Sequence, residues 1–183
     1  MKKILLFAGS NSSTSINKKL IQYVADNIKE AETEIINLED YEPPMFSVDI
    51  EKEITSPESI QKLVKKFRNY DGFVVSTPEH NHIPPAFLKS ILDWLSRVHL
   101  HIFEDEPRYF EDKPLLLLST SPGKGGATRS IEHVEYLLSF GKPKLIGKFS
   151  LPSFNHNFED GKITDQELDQ KLKDLIKKLE SEV

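Results

Sequence analysis

The sequence predicts an α/β protein with a five-stranded parallel sheet of order 2-1-3-4-5 between two helical layers, a three-layer sandwich. Three observations predict it. Short apolar runs without polar alternation mark strands buried on both faces. Segments with apolar residues at helical spacing separate them. Strands and helices alternate strictly, and right-handed crossovers wind such a chain into an open, doubly wound sheet. A chain of 183 residues suits one domain, 1–183, able to bury a core without staples.

The elements follow in order. Ile4–Ala8 is the first strand, and Ile16, Leu20, Ile21, Val24 and Ile28 space a helix after it. Glu34–Leu38 alternates, as a strand nearer the sheet edge does. Ser56-Pro57-Glu58 opens the next helix with a serine cap and a proline at the first helical position, ahead of Ile60, Leu63, Val64 and Phe67. Gly72–Thr77 is the third strand, followed by the helix of Phe87, Leu88, Ile91, Leu92 and Leu95. Leu115–Ser119 and Leu145–Leu151 are the last two strands, separated by the helix of Ile131, Val134, Leu137 and Leu138. Leu168, Leu172, Leu175, Ile176 and Leu179 give an amphipathic final helix. Two long polar connections, Tyr41–Thr55 and His99–Lys113, are expected to be covers or interface segments.

Composition excludes several function classes. The chain has no cysteine, so disulfides, thiol catalysis and cysteine-based metal sites are ruled out. A cysteine-free chain fits a reducing compartment, and a cytoplasmic protein is expected. Only Ile4–Ala8 is apolar before Gly9, too short for a signal-peptide core, and no run approaches a membrane span. The formal net charge of −5 argues against non-specific nucleic-acid binding.

The most telling segment is the loop after the first strand, Gly9-Ser10-Asn11-Ser12-Ser13-Thr14-Ser15-Ile16-Asn17. It carries five hydroxyls and two amides and no carboxylate; the first acidic residue is Asp26. A helix N-terminus offers unpaired N–H groups and a partial positive charge. Here it is followed by Lys18 and Lys19, which the dipole disfavours unless an anion is near, and a bound phosphate meets that need. In an open parallel sheet, ligands sit at the carboxyl ends of the strands, at the switch point between strands 1 and 3. Three loops converge there: Gly9–Asn17, Pro78–Pro85 and Ser119–Gly126.

The second loop reads Thr77-Pro78-Glu79-His80-Asn81-His82-Ile83-Pro84-Pro85 and runs into a helix containing Leu88, Lys89, Asp93 and Trp94. Its prolines suit a rigid platform for a flat aromatic ligand. The stretch resembles the Pro-Glu-Tyr-Asn…Pro…Leu-Lys-Asn…Asp-Trp signature of NAD(P)H-dependent FMN reductases. That flavodoxin-like family includes azoreductases, quinone reductases and chromate reductases. The first loop, through Gly9, Ser10, Ser15, Asn17 and Leu20, and the Gly-rich third loop, Ser119–Ala127, resemble the family's too.

The resemblance implies an FMN oxidoreductase that passes electrons from NADPH or NADH to a small acceptor: a quinone, an azo compound, free flavin or a metal oxyanion. It implies that Ser10, Ser12, Ser15, Ile16 and Asn17 hold the FMN phosphate. Pro78, Glu79, His80 and Asn81 would line the flavin ring, largely through backbone atoms, and Ser121, Gly123, Lys124 and Gly125 would close the other side. No side chain acts as nucleophile or strong base, so no catalytic residue is assigned; the chemistry belongs to the flavin. A homodimer or homotetramer is expected. Ser12 stands where the family often has an arginine, which leaves NADH against NADPH open, and His80 replaces the signature tyrosine. Two alternatives are a non-enzymatic FMN electron carrier and a flavin-binding regulatory module. The carrier's first loop alternates glycine with Ser/Thr, which this loop does not.

Other motifs have plainer readings. The pairs His80/His82 and His99/His101 lack the convergent ligands a metal needs, so no metal is expected. Asp160-Gly161-Lys162 imitates part of a calcium loop, but His156 and Phe158 fall at ligand positions, and a turn followed by a Thr164/Glu167 capping box fits better. Asp93 is expected to pair with Arg97 one helical turn on.

Overall fold

The computed structural model describes residues 1–183. Its main sheet has five parallel strands: β1 (Lys3–Ala8), β2 (Glu32–Ile36), β3 (Gly72–Thr77), β4 (Pro114–Thr120) and β5 (Lys144–Leu151). They are ordered β2-β1-β3-β4-β5, as the alternation of elements predicts. Residues of β1, β3 and β4 are almost all buried, which is why their sequences do not alternate. On one face Leu5, Phe7, Phe73, Val75, Leu115 and Leu117 meet helices α3 (Glu58–Phe67), α4 (Ala86–His101) and α5 (Thr128–Leu138). On the other, Ile4, Leu6, Val74, Leu116 and Leu118 meet α1 (Ile16–Asn27) and α7 (Gln166–Glu182). No helix is long and apolar enough to cross a membrane.

The long connections hold more structure than their polarity suggests. After β2, which ends at Ile36 rather than Leu38, a single 3₁₀ turn spans Leu38–Tyr41. A helix, α2 (Val48–Ile54), follows inside the predicted loop Tyr41–Thr55. Glu51 of α2 takes both arms of the Arg97 guanidinium, and His101 Nε2 lies 3.1 Å from its Oε1. Trp94 Nε1 donates to Pro44 O at 2.8 Å, and the Phe46 ring meets Trp94 edge-on. These contacts fasten the segment to α4. They also correct an expectation: Arg97 pairs with Glu51, while Asp93 pairs with Lys89 at 2.6 Å.

Past β5 the chain makes a short helix, α6 (Phe154–Asn157), and a small hairpin of β6 (Phe158–Glu159) and β7 (Lys162–Ile163). Asp160 and Gly161 have φ of 47° and 76°, as the central residues of its tight turn require. The cap of α7 is Asp165, which accepts from the backbone N–H of Glu167 and Leu168, in place of the expected Thr164 box. The Thr164 hydroxyl bonds back to His156 O instead. Helix α3 begins one residue later than expected: Pro57 is its cap, and Ser56 is buried.

Candidate functional site

The carboxyl ends of β1, β3 and β4 carry the loops Gly9–Ser15, Pro78–Pro85 and Ser121–Ala127. Gly9 starts the first turn, where its N–H bonds Ser76 O at 2.8 Å. A Cβ there would lie only 3.0 Å from the Leu88 branch carbon, so the turn and α4 fit together through a residue without a side chain.

Hydroxyl groups shape the first loop. Ser10 Oγ accepts from Ser12 N–H, Ser12 Oγ from Thr14 N–H, and Ser15 Oγ, the cap of α1, from Lys18 N–H. Using their lone pairs inward leaves the Ser10 and Ser15 hydroxyl protons free to donate. The backbone N–H groups of Ile16 and Asn17 have no protein partner, as at most helix starts. Donors without a carboxylate among them are what a phosphate monoester requires.

Two site residues behave differently from expectation. The Asn17 side chain turns inward and is 1% exposed. It accepts from Ser76 Oγ at 2.7 Å and donates to Thr120 O at 3.2 Å, so only its backbone N–H remains for an anion. The expected phosphate partner of Lys18 is supplied within the chain: Lys18 Nζ pairs with Glu39 at 2.5 Å.

In the second loop, His80 and Ile83 exchange both backbone hydrogen bonds, at 2.9 and 3.2 Å, around Asn81 and His82. These central residues have φ of 52° and 72°, the left-handed values of a type I′ turn. The His80 backbone is therefore occupied, and Pro78 O accepts from both Thr77 Oγ1 and Ser130 Oγ. The backbone donors left along this loop are the N–H groups of Glu79, Asn81 and His82, with the exposed His80 imidazole beside them. The Glu79 carboxylate points away from this edge, to the start of α5, where Oε2 accepts from Ser130 N–H at 3.3 Å.

The third loop is pinned from beyond β5. Ser121 O accepts from Phe154 N–H, and Gly123 O accepts from Ser153 and Gly126 N–H. A Cβ at Gly125 would meet nothing and one at Gly123 only Ser121 Oγ at 3.8 Å, so both face open space. The tight glycine is Gly126, at φ 58°, where a Cβ would come within 3.1 Å of the Leu151 and Pro152 backbone. Lys124 is exposed at the loop tip.

Ser76, Thr77, Thr120, Ser130 and Gly126 organise the site and were not singled out from sequence. Their signal is the pair of polar residues ending each otherwise apolar strand, Ser76-Thr77 and Ser119-Thr120, which must find buried partners. The carboxyl and ammonium groups that burial or pairing perturbs at the sheet's ends lie opposite this site. Asp71, just before β3, is held below the usual range by the Lys3 backbone N–H, and Lys113, just before β4, is pushed down by burial.

Comparison with known proteins gives the family. The sequence profile described as NADPH-dependent FMN reductase matches residues 2–156. The chain is 30% identical over 150 residues to the NADH:(hydroxy)cinnamate reductase subunit CrdA of Vibrio ruber, a match covering 81% of this chain and 67% of that one. It is 33% identical over 110 residues to a quinone reductase of Escherichia coli K12, covering 57% of this chain and 55% of the relative, so that match spans about half the relative's length. In three dimensions it resembles FerB, a flavoenzyme NAD(P)H:(acceptor) oxidoreductase of Paracoccus denitrificans. The TM-score is 0.75 at 22% identity, over 99% of this chain and 96% of that one. By fold, loop order and sequence, the chain belongs to the NADPH-dependent FMN reductase family.

Proposed function

We propose that the protein is a single-domain, cytoplasmic FMN oxidoreductase that moves electrons from NADPH or NADH to a small acceptor of the quinone, azo, flavin or metal-oxyanion type. The observation that carries this reading is the carboxylate-free donor loop Gly9–Asn17, set at the β1/β3 switch point of a chain in this family. The relatives named above are reductases of a cinnamate and of a quinone, which supports an aromatic or quinonoid acceptor.

FMN, when bound, would supply the redox chemistry of hydride acceptance and electron release. The chain's own residues bind and orient. The hydroxyls of Ser10, Ser12 and Ser15 and the N–H groups of Ile16 and Asn17 hold the phosphate. Pro78, Glu79, His80 and Asn81 would line the flavin ring, with the Glu79 and Asn81 N–H groups free to donate to it. Ser121, Gly123, Lys124 and Gly125 close the opposite side, the two glycines leaving room for the ligand. A single open face would receive donor and acceptor in turn, for which ping-pong kinetics are expected. The α2 segment borders the mouth or an interface between copies, in a homodimer or homotetramer.

The test is direct. The purified protein, loaded with FMN, is followed spectrally during anaerobic titration with NADPH and NADH, then assayed with a quinone. Flavin bleaching and quinone-dependent turnover are expected. No FMN binding at micromolar concentration, or a yellow protein inert to both nucleotides, would refute the proposal.

A further inference from the structure

We propose that Arg129 and His82 form an anion-binding site on the rim of the flavin pocket, which takes a phosphate group of the nicotinamide dinucleotide. This rests on the donor reading above and goes beyond it by naming the residues that select the donor.

Arg129 is the second residue of α5, and its neighbour Ser130 is bonded to the flavin-side loop three ways. Ser130 Oγ donates to Pro78 O at 2.7 Å and lies 3.0 Å from Thr77 Oγ1, while Ser130 N–H donates to Glu79. Arg129 is thereby fixed beside Pro78–His82. Its Nη1 donates to His82 Nδ1 at 3.0 Å. A guanidinium only donates, so Nδ1 accepts in this contact, and Nε2 is the imidazole's remaining nitrogen beside the guanidinium's other N–H groups. His82 is held by the type I′ turn, its side chain 67% exposed.

Arg129 makes no ion pair within the chain; the Glu79 carboxylate reaches only its neighbour His82, at 3.6 Å. Of the four arginines, Arg68 and Arg97 pair with Glu106 and Glu51, and Arg108 lies over the Phe140 ring at 4.0 Å. Arg129 is exposed with neither a carboxylate nor an aromatic partner. Of the lysines at this end of the sheet, Lys18 pairs with Glu39 and Lys89 with Asp93, while Lys124, exposed at the third loop's tip, is in no ion pair. Glu79, the carboxylate of this loop, faces the α5 backbone and His82. The first turn of α5 holds no acidic residue, so the helix dipole also favours an anion there. An exposed guanidinium steadied by a histidine suits a phosphate dianion, which it can grip with two parallel hydrogen bonds. The first loop, with Ser12 and no arginine, has no such group to give the dinucleotide.

The phosphate is either the pyrophosphate common to both donors or the ribose phosphate of NADPH, and two non-reducing fragments tell them apart. FMN-loaded wild type and Arg129→Gln are titrated calorimetrically with ADP and with 2′,5′-ADP. The variant is expected to lose about tenfold in affinity, the loss of a charge-assisted contact. Loss with both fragments assigns the pyrophosphate; loss with 2′,5′-ADP alone assigns the ribose phosphate. Arg129→Lys recovers part of the loss, keeping the charge without the fork. In turnover, the kcat/KM ratio of NADPH over the phosphate-free donor N-benzyl-dihydronicotinamide falls in Arg129→Gln, whereas a merely structural defect lowers both alike and leaves the ratio. An unchanged ratio with unchanged fragment affinity, or no heat from wild type with either fragment, overturns the inference. A wild type that binds no FMN overturns the proposed function instead.

Discussion

The side-chain amide of Asn17 accepts a hydrogen bond from Ser76 Oγ at 2.7 Å, deep between α1 and the sheet. The same amide donates to Thr120 O at 3.2 Å, so one buried side chain ties the start of α1 to the ends of β3 and β4. The loop before α1 is thus held in place from below. Replacing Asn17 with Ala strands two buried polar groups, and we expect a loss of about 2 kcal/mol, or a fall in Tm of about 4–8 °C in a chain of this size. Thermal unfolding of the flavin-free protein checks this. An unchanged Tm would show that Ser76 and Thr120 find other partners.

Ser10 faces the opposite demand. Its Oγ accepts from Ser12 N–H, and its own proton is free for a ligand. In Ser10→Asp the carboxylate still accepts from Ser12, so the loop keeps its shape, but on the proposed placement of FMN a negative charge would sit against its phosphate. Repulsion at about 4 Å in a partly shielded site is worth up to about 4 kcal/mol, and a weakening of FMN affinity by about 100-fold is expected. Flavin fluorescence quenching measures it, with riboflavin as the control that lacks the phosphate. If FMN and riboflavin are affected equally, the phosphate lies elsewhere.

How much of this was legible in sequence follows from what each feature depends on. Strands β1, β3 and β4 announce themselves because both of their faces are buried, and that requirement is local. The donor-rich first loop is legible for the same reason. Helix α2 is not: none of its residues is buried, and what fastens it is Glu51 reaching Arg97, 46 residues away. The basic start of α1 was readable as a need for an anion, but its partner is Glu39, brought close only by the 3₁₀ turn after β2. Asn17 looked like a ligand-binding amide because Ser76 and Thr120 become its neighbours only when the sheet forms. Composition names the donors a site contains; tertiary pairing decides which of them face outward.

The Glu51 latch gives a pH prediction. The Arg97 hydrogen bonds, with a smaller contribution from His101, hold the Glu51 carboxyl below the usual glutamate range. A depressed carboxyl pKa stabilises the fold above its unfolded value of about 4.3, and that stabilisation is lost as pH falls through the folded value. Glu51→Gln should therefore melt below wild type at pH 7, by about 2–4 °C. The gap should close as pH drops beneath about 4. Asp71 and Asp169 are also held low, but they titrate in both proteins and cancel in the difference. A gap that stays constant down to acid pH would mean that the latch contributes nothing through charge.

Glu79 separates a structural role from a contact with ligand. Its carboxylate caps the third residue of α5, Ser130, from a loop 51 residues earlier, and it lies 3.6 Å from His82 Nδ1. If capping is its function, Glu79→Gln keeps an oxygen that can accept from Ser130 N–H and should lower stability little. Glu79→Ala removes the acceptor and should cost about 1 kcal/mol, as the loss of a cap does. Loosening the link between α5 and Pro78–His82 also frees the ring-side loop, so FMN affinity should fall in Ala more than in Gln, by about tenfold at the usual 1.4 kcal/mol per decade. Urea unfolding and flavin titration of the two variants decide the matter. Equal loss of flavin affinity in both, with stability intact in both, would place the Glu79 charge on the ligand and not on the helix.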